Sequence, residues 1–342
     1  MRPSAYFIRI IHNVPMSLVT LDEIREAAAR IAAVARRTAL VDASDQAARP
    51  LWLKCENQQP GGAFKIRGAT NMLARLDPSD RRRGVITYSS GNHGQAVSLA
   101  GARLGAPAVI VMPTTAPAVK VAGVRRWGGE VILEGTTSVD RLKRAQAEAA
   151  ARGLTMVPPF DHPWIIAGQG TCGLEIEAQL PDADVVVVPI GGGGLISGVA
   201  AALKQARPAV RVVGVEPEGA AKMTASIAAG HPVTLERTAS IADGLMPVRP
   251  GDLTFAHAQQ YVDEVVTVSD AEIAHAALWL FYEVRQVVEP SGAATVAAVR
   301  APRFARLFPA DARVVAVLSG GNVAPATLEE LERRFGPTEE RA

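Results

Sequence analysis

Cysteine is nearly absent from this chain: Cys55 and Cys172 are the only two in 342 residues. They lie in different motifs without metal-ligand spacing. That excludes a disulfide scaffold and a zinc module, and points to reduced thiols in a cytoplasmic protein. Charged residues are also sparse, at 20%, and the formal net charge is only +2. No basic block is interleaved with aromatic residues, so a nucleic-acid partner is not indicated. The densest basic run, Arg81-Arg82-Arg83, reads as a solvated turn ahead of a strand. No apolar stretch has the length and flanks of a membrane span. Residues 4–15 are too interrupted by polar side chains for the apolar core of a signal peptide. Fixed-period repeats and low-complexity linkers are missing too.

What is present is apolar and alternating. Hydrophobic residues make up 48% of the chain, enough for one large or two moderate cores. Strand-like segments such as "PLWLKCE", "GVITYSS", "APAVIVMP", "LTMVPPF", "DVVVVPI" and "RVVAVLSGGN" alternate with helix-like ones. Among the latter are "AFKIRGATNMLARL", "GQAVSLAGARLG", "SVDRLKRAQAEAAARG", "IIAGQGTCGLEIEAQL" and residues 270–287. This is an α/β pattern with mainly parallel strands. Residues 1–15 fit none of it and are expected to be a loose tail. From Met16 the chain reads as a capped helix running into the fold.

The segment "VVVVPIGGGGLISGVAAAL", residues 185–203, poses the central question. A buried strand meets a helix through four successive glycines, Gly191 to Gly194. A plain turn needs one glycine. Four remove every Cβ, so that backbone N–H groups can converge at a helix N-terminus on an anion, most often a phosphate. The common nucleotide sites do not match. No Lys-Ser/Thr pair follows the glycines, and the third glycine of a dinucleotide fingerprint is missing.

Three more segments occupy comparable places. In "GGAFKIRGA", Lys65 stands just inside a helix behind Gly61, Gly62 and Phe64. A lysine desolvated near a phosphate cup suits Schiff-base chemistry. In "YSSGNHGQ" a strand exit offers Ser89, Ser90, Asn92, His93 and a helix start. Such a turn can hold a carboxylate, although a Ser/Asn-rich cap is the blander reading. In "LSGGN", Ser319 follows another buried strand. Ligands of parallel sheets bind at the carboxyl ends of strands, so the four segments point to one shared site.

Taken in order, "KCENQQPGGAFKIRGATNML", "SSGNHGQA", "IAGQGT", "VPIGGGGLISG", "GVEPEGA", "ADG", "VVEPSGA" and "LSGGN" resemble the pyridoxal-phosphate (PLP) enzymes of fold type II. Within these they are similar to the serine/threonine dehydratase (ammonia-lyase) and serine racemase branch. The resemblance runs from about Leu18 to about Leu328. It implies an α/β fold of the tryptophan synthase β type, with two domains, each a mainly parallel twisted sheet flanked by helices. Residues 16–75 and 161–342 would form the large PLP-binding domain and residues 76–160 the small one, with no C-terminal regulatory domain. Lys65 would be the Schiff-base lysine, and Gly191, Gly192, Gly193 and Gly194 would cup the phosphate. Phe64 would lie on the ring, Asn92 would face its 3′-oxygen, and Ser319 its nitrogen. Gly244 and Glu289 would line its edge. Ser89, Ser90, Gly91, Asn92 and His93 would hold the substrate carboxylate. The implied reaction is β-elimination of water from L-threonine or L-serine, giving a 2-oxo acid and ammonia, in a cytoplasmic homodimer or tetramer.

Two positions keep alternatives open. Threonine-specific members often carry alanine where this chain has Ser90. Serine racemases and threo-3-hydroxyaspartate dehydratases resemble it in having serine, and a hydroxyl there can act as acid or base on the ring face opposite Lys65. In racemase-like members a divalent cation is held by a glutamate, a carbonyl and an aspartate after "GVEP". Here Glu216 and Ala220 match, but Lys222 takes the acidic position, and a lysine cannot complete an oxygen cage. Of the more distant readings, a non-catalytic binding protein has no need of Lys65, and a nicotinamide oxidoreductase lacks its fingerprint. The expected outcome is activity that a chelator leaves unchanged. Loss with chelator and recovery with magnesium would overturn the assignment of Lys222.

Overall fold

The computed structural model describes residues 17–89 and 91–336. The expected N-terminal tail and Ser90 lie outside the described residues. The strands are β1 (Leu40–Asp42), β2 (Leu51–Lys54), β3 (Val85–Tyr88), β4 (Ala108–Met112), β5 (Glu130–Leu133), β6 (Thr155–Met156), β7 (Val185–Pro189), β8 (Arg211–Pro217), β9 (Glu264–Val268) and β10 (Val314–Val317). They form a six-stranded sheet, ordered β1-β2-β10-β7-β8-β9, and a four-stranded sheet, ordered β5-β4-β3-β6. All pairs are parallel except β1 with β2. This is the expected α/β architecture of parallel sheets flanked by helices.

The strand β7 shows why no polar alternation was needed. Helices cover both faces of the sheet, and Val185 to Val188 are all at most 2% exposed. Each such valine contributes about 1.5–3 kcal/mol by burial. Pro189 is tolerated in this central strand because β10 pairs only as far as Val187. The Ile190 N–H donates to Val215 on β8. With alternate residues facing opposite neighbours, the missing N–H of Pro189 faces the side where no strand remains.

Three helices carry the site, and small residues set their spacing. Helix Pro163–Gln179 packs between helix Lys65–Ala74 and helix Gly194–Ala206. A Cβ on Gly168 would stand 2.6 Å from the Cα of Gly68. A Cβ on Gly198 would stand 2.4 Å from the backbone nitrogen of Gly170. Backbones therefore touch at both crossings. The chain starts this assembly with helix Leu21–Ile31, whose Thr20 and Glu23 form a capping box.

Three sequence expectations are corrected. "LTMVPPF" is strand only at Thr155–Met156, because Pro158 and Pro159 lack the N–H that a ladder needs. The arginine run belongs to a short helix, Pro78–Arg83, which ends at Gly84 with φ +107°. The helix expected to reach residue 287 ends at Tyr282.

Behind the lysine-bearing helix lies a buried ion network. Arg67 Nε and Nη2 donate to Glu56 at 2.7 and 2.8 Å, and Nη1 and Nη2 donate to Glu175 at 2.7 and 2.8 Å. Lys54 Nζ reaches the same Glu175 at 2.6 Å. Two cations and two carboxylates thus balance in the core. Burial alone would raise the Glu56 carboxyl, but the Arg67 charge and hydrogen bonds hold it below its ordinary value. Its contribution is full above the ordinary carboxylate range and is lost as pH falls through the lowered value. Arg67→Ala is expected to destabilise the fold by about 3–5 kcal/mol, since it strands the fully buried Glu56 carboxylate, while Glu175 keeps Lys54. Urea unfolding checks this, and a loss below about 1 kcal/mol, the scale of an exposed pair, would count against the network.

Candidate active site

Lys65 is the first residue of helix Lys65–Ala74. Gly61 and Gly62, with φ of +79° and +74°, turn the chain into it. The turn is docked on the exit of β10: Phe64 N–H donates to Ser319 O at 3.1 Å, and Ala63 bridges Gly320. The Lys65 ammonium lies 5.0 Å from the Phe64 ring centroid and donates to Pro159 O at 2.8 Å. Burial lowers the amine to about 8. A substantial fraction is therefore neutral, and nucleophilic, near physiological pH.

The exit of β3 faces it. The Ser89 hydroxyl accepts from Gly91 N–H at 3.1 Å, shaping the turn into helix Asn92–Leu104. His93 is buried, and its Nε2–H donates to Val157 O at 3.3 Å. Burial, reinforced by the Lys65 charge, pushes its imidazole down to about 3, so His93 is a neutral donor. Ser90 lies outside the described residues. The Lys120 side chain passes beside Gly91 and ends in an ion pair with Asp243.

The glycine run forms the third wall. Gly193 has φ +98°, which an L side chain rarely adopts, and it caps helix Gly194–Ala206. A Cβ on Gly192 would meet the Phe160 ring at 2.2 Å, and one on Gly191 would meet Gly244 O at 2.9 Å. Thr254 Oγ1 donates to Gly192 O at 2.7 Å. Among the described residues, the N–H groups of Gly191 to Gly194 find no acceptor. Unpaired N–H groups at a helix N-terminus attract an anion.

Side-chain amides tie the walls together. Asn92 Nδ2 donates to Glu289 Oε1 at 2.6 Å, and Asn92 Oδ1 accepts from Asn322 Nδ2 at 2.9 Å. Asn322 also donates to Gly61 O at 2.8 Å. Burial, with Asp243 nearby, pushes the Glu289 carboxyl up to about 8, so it is mostly the neutral acid at pH 7. Gly244 N–H donates to Ser291 Oγ at 2.8 Å. Ser319 is buried, and its carbonyl is held by Phe64. The described segments singled out in the sequence are thus linked by these contacts into one group.

Sequence reasoning missed several members. Pro159 and Phe160 hold the lysine and cover the glycine run, but their segment reads as a strand. Lys120, Asp243, Thr254 and Asn322 carry no signal in isolation. At the position compared with a metal site, Lys222 Nζ stands 3.1 Å from Glu216 and 3.0 Å from Ala220 O. No group of three or more metal-ligating side chains occurs among the described residues.

Comparison with known proteins decides the family. The family model described as "Pyridoxal-phosphate dependent enzyme" matches residues 31–320. The chain belongs to this family. The L-threonine ammonia-lyase of Thermotoga maritima is 44% identical over 309 residues, covering 90% of this chain and 76% of that protein. The catabolic L-threonine dehydratase of Escherichia coli is 40% identical over 308 residues, 89% of this chain and 93% of that protein. The solved structure of maize serine racemase superposes with a TM-score of 0.88 at 40% identity, over 92% of this chain and 97% of that one.

Pyridoxal phosphate fits the cleft's chemistry. Unpaired N–H groups suit its phosphate, and an amine lowered to about 8 suits its aldehyde. In the apoprotein, reductive methylation of Lys65 by formaldehyde and cyanoborohydride should rise with pH to half its maximum near 8. Peptide mass spectrometry reads this residue by residue. A rise only above pH 10, as for a solvated lysine, would refute the buried setting.

Proposed function

We propose that this protein is a PLP-dependent ammonia-lyase that removes water from L-threonine and L-serine, yielding a 2-oxo acid and ammonia. The observation that carries the reading is the buried Lys65 amine held by Pro159 O, next to Phe160, which lies against the glycine run and its unpaired N–H groups. Burial lowers that amine to about 8. The relatives named above, covering nine-tenths of the chain in one case, support the substrate class.

Bound in this cleft, pyridoxal phosphate supplies the carbonyl that captures the substrate amine and the electron sink that weakens its Cα–H bond. The chain's own residues do the rest. Gly191 to Gly194 would hold the phosphate, with Phe64 against the ring, Asn92 at its 3′-oxygen and Gly244 and Glu289 at its edge. Ser89, Ser90, Gly91, Asn92 and His93 would grip the substrate carboxylate through N–H and hydroxyl donors. Neutral Lys65 Nζ would take the proton from Cα. The β-hydroxyl would leave as water on taking a proton from the phosphate held at the glycine run. Water would then hydrolyse the released enamine to the 2-oxo acid and ammonia. The Ser319 hydroxyl, too weak an acid to protonate the ring nitrogen, would keep that ring a modest sink. That favours prompt β-elimination over slow side reactions. We also assign residues 16–75 and 161–342 to one domain and 76–160 to another, in a cytoplasmic homodimer or tetramer whose mass light scattering would give.

The second reading is serine racemisation or dehydration of threo-3-hydroxyaspartate. Ser90 and the likeness to maize serine racemase favour it. The test is 2-oxo acid formation from L-threonine, L-serine, D-serine and L-threo-3-hydroxyaspartate, with chiral analysis of residual serine. The expected result is 2-oxobutyrate from threonine and pyruvate from serine, with kcat falling roughly a thousandfold in Lys65→Ala. Inert threonine, with D-serine formed by the native enzyme but not by Ser90→Ala, would replace the first reading with the second.

A further inference from the structure

Lys222 is fully buried at the start of helix Lys222–Ala229. Its Nζ donates to Ile190 O at 2.9 Å, Ala220 O at 3.0 Å and Leu245 O at 3.0 Å, and lies 3.1 Å from Glu216 Oε1. The carboxylate is itself saturated. Glu216 accepts from Met223 N–H at 2.9 Å and from Thr224 N–H and Oγ1 at 2.8 and 2.9 Å. Burial pulls the lysine amine below its ordinary value. Even so, three carbonyls and a carboxylate gathered around one nitrogen need the three N–H donors of the protonated form. The oxygens enclose the nitrogen as they would a small cation.

The position of this cage matters. Ile190 immediately precedes Gly191, and Leu245 immediately follows Gly244, whose carbonyl abuts Gly191. No cis peptide occurs among the described residues, so the Ile190 C=O and the Gly191 N–H point in opposite directions from one planar unit. Turning the Ile190 carbonyl toward Lys222 therefore turns the Gly191 N–H away from it. Thr254, by holding Gly192 O, does the same for Gly193 N–H.

We propose that the Lys222 ammonium is a built-in cation that positions the first turn of the phosphate cup, so that removing it makes cofactor affinity depend on a free monovalent cation. The proposal rests on reading Gly191 to Gly194 as the phosphate site. Lys222 is a positioning residue, with no contact to the reacting atoms required.

The experiment measures the Kd of PLP for the apoprotein by fluorescence titration. Each titration is run in ammonium, potassium or tetramethylammonium chloride at one ionic strength. The native protein should bind equally in all three. Lys222→Ala should bind about tenfold or more weakly in tetramethylammonium, a cost of about 1.4 kcal/mol or more. It should recover in ammonium and potassium, which are small enough to enter the cage. Native-like affinity in tetramethylammonium, or weak binding that no cation improves, overturns the proposal. Should Lys222→Ala fail to fold, Lys222→Met with Glu216→Gln removes both charges at similar volume. That pair should bind weakly in every salt, and native affinity there is equally fatal. Gly193→Ala separates the two levels: unchanged PLP affinity in that variant means the cup is misplaced, whatever Lys222 does.

Discussion

Arg67 buries its guanidinium two residues after Lys65, and the placement of the cleft follows from that contact. A buried guanidinium is tolerated only when its donors and its charge are matched. Here Glu56 and Glu175 match both, and Thr171 Oγ1 and Arg36 O take further donors at 2.9 and 3.2 Å. These partners come from the segment after β2, from helix Pro163–Gln179 and from the chain before β1. The network therefore fixes the rotation of helix Lys65–Ala74 about its axis, and with it the direction in which Lys65 leaves the first turn. The backbone contact at Gly68 and Gly168 fixes its depth.

The cleft itself is electrostatically quiet. Burial drives Lys65 and His93 toward their uncharged forms and Glu289 toward its acid form. The charged pairs are Lys120 with Asp243, beside Gly91, and Lys222 with Glu216, next to the start of the glycine run. A site of neutral groups and unpaired N–H groups would suit an anionic group, with no charged carboxylate favoured beside it. It also leaves the lysine free to act as a base rather than as a salt-bridge partner. Both properties come from desolvation, which requires the two sheets and their helices to close around the same space.

The glycine run shows how far a sequence argument reaches. The strand, the turn and the helix start were legible, because buried valines and consecutive glycines have local causes. The reason for each glycine was not. Gly192 faces Phe160, Gly191 faces Gly244, and only Gly193 needs glycine for its backbone angle. The Gly193 and Gly191 N–H groups point away from Thr254 and Lys222 because those residues hold the preceding carbonyls, from which they lie 62 and 32 residues away in the chain. Phe160 and Pro159 stayed hidden for a similar reason. Two prolines cut a strand-like stretch short, and the resulting loop acquires its role only where it meets Lys65.

The sequence alone determined the elements and the chemistry available to them. Apolar periodicity, glycines at strand exits and a lysine at a helix start are local properties, readable along one dimension, and the order of motifs carried the family. Tertiary structure decided which groups are charged and which way they point. The shift of Lys65, the neutrality of His93 and Glu289, the cage around Lys222 and the Lys120–Asp243 pair all depend on burial and on partners far away in the chain. Desolvation and hydrogen-bond direction exist only once distant segments share a volume, and no spacing within a single segment encodes them.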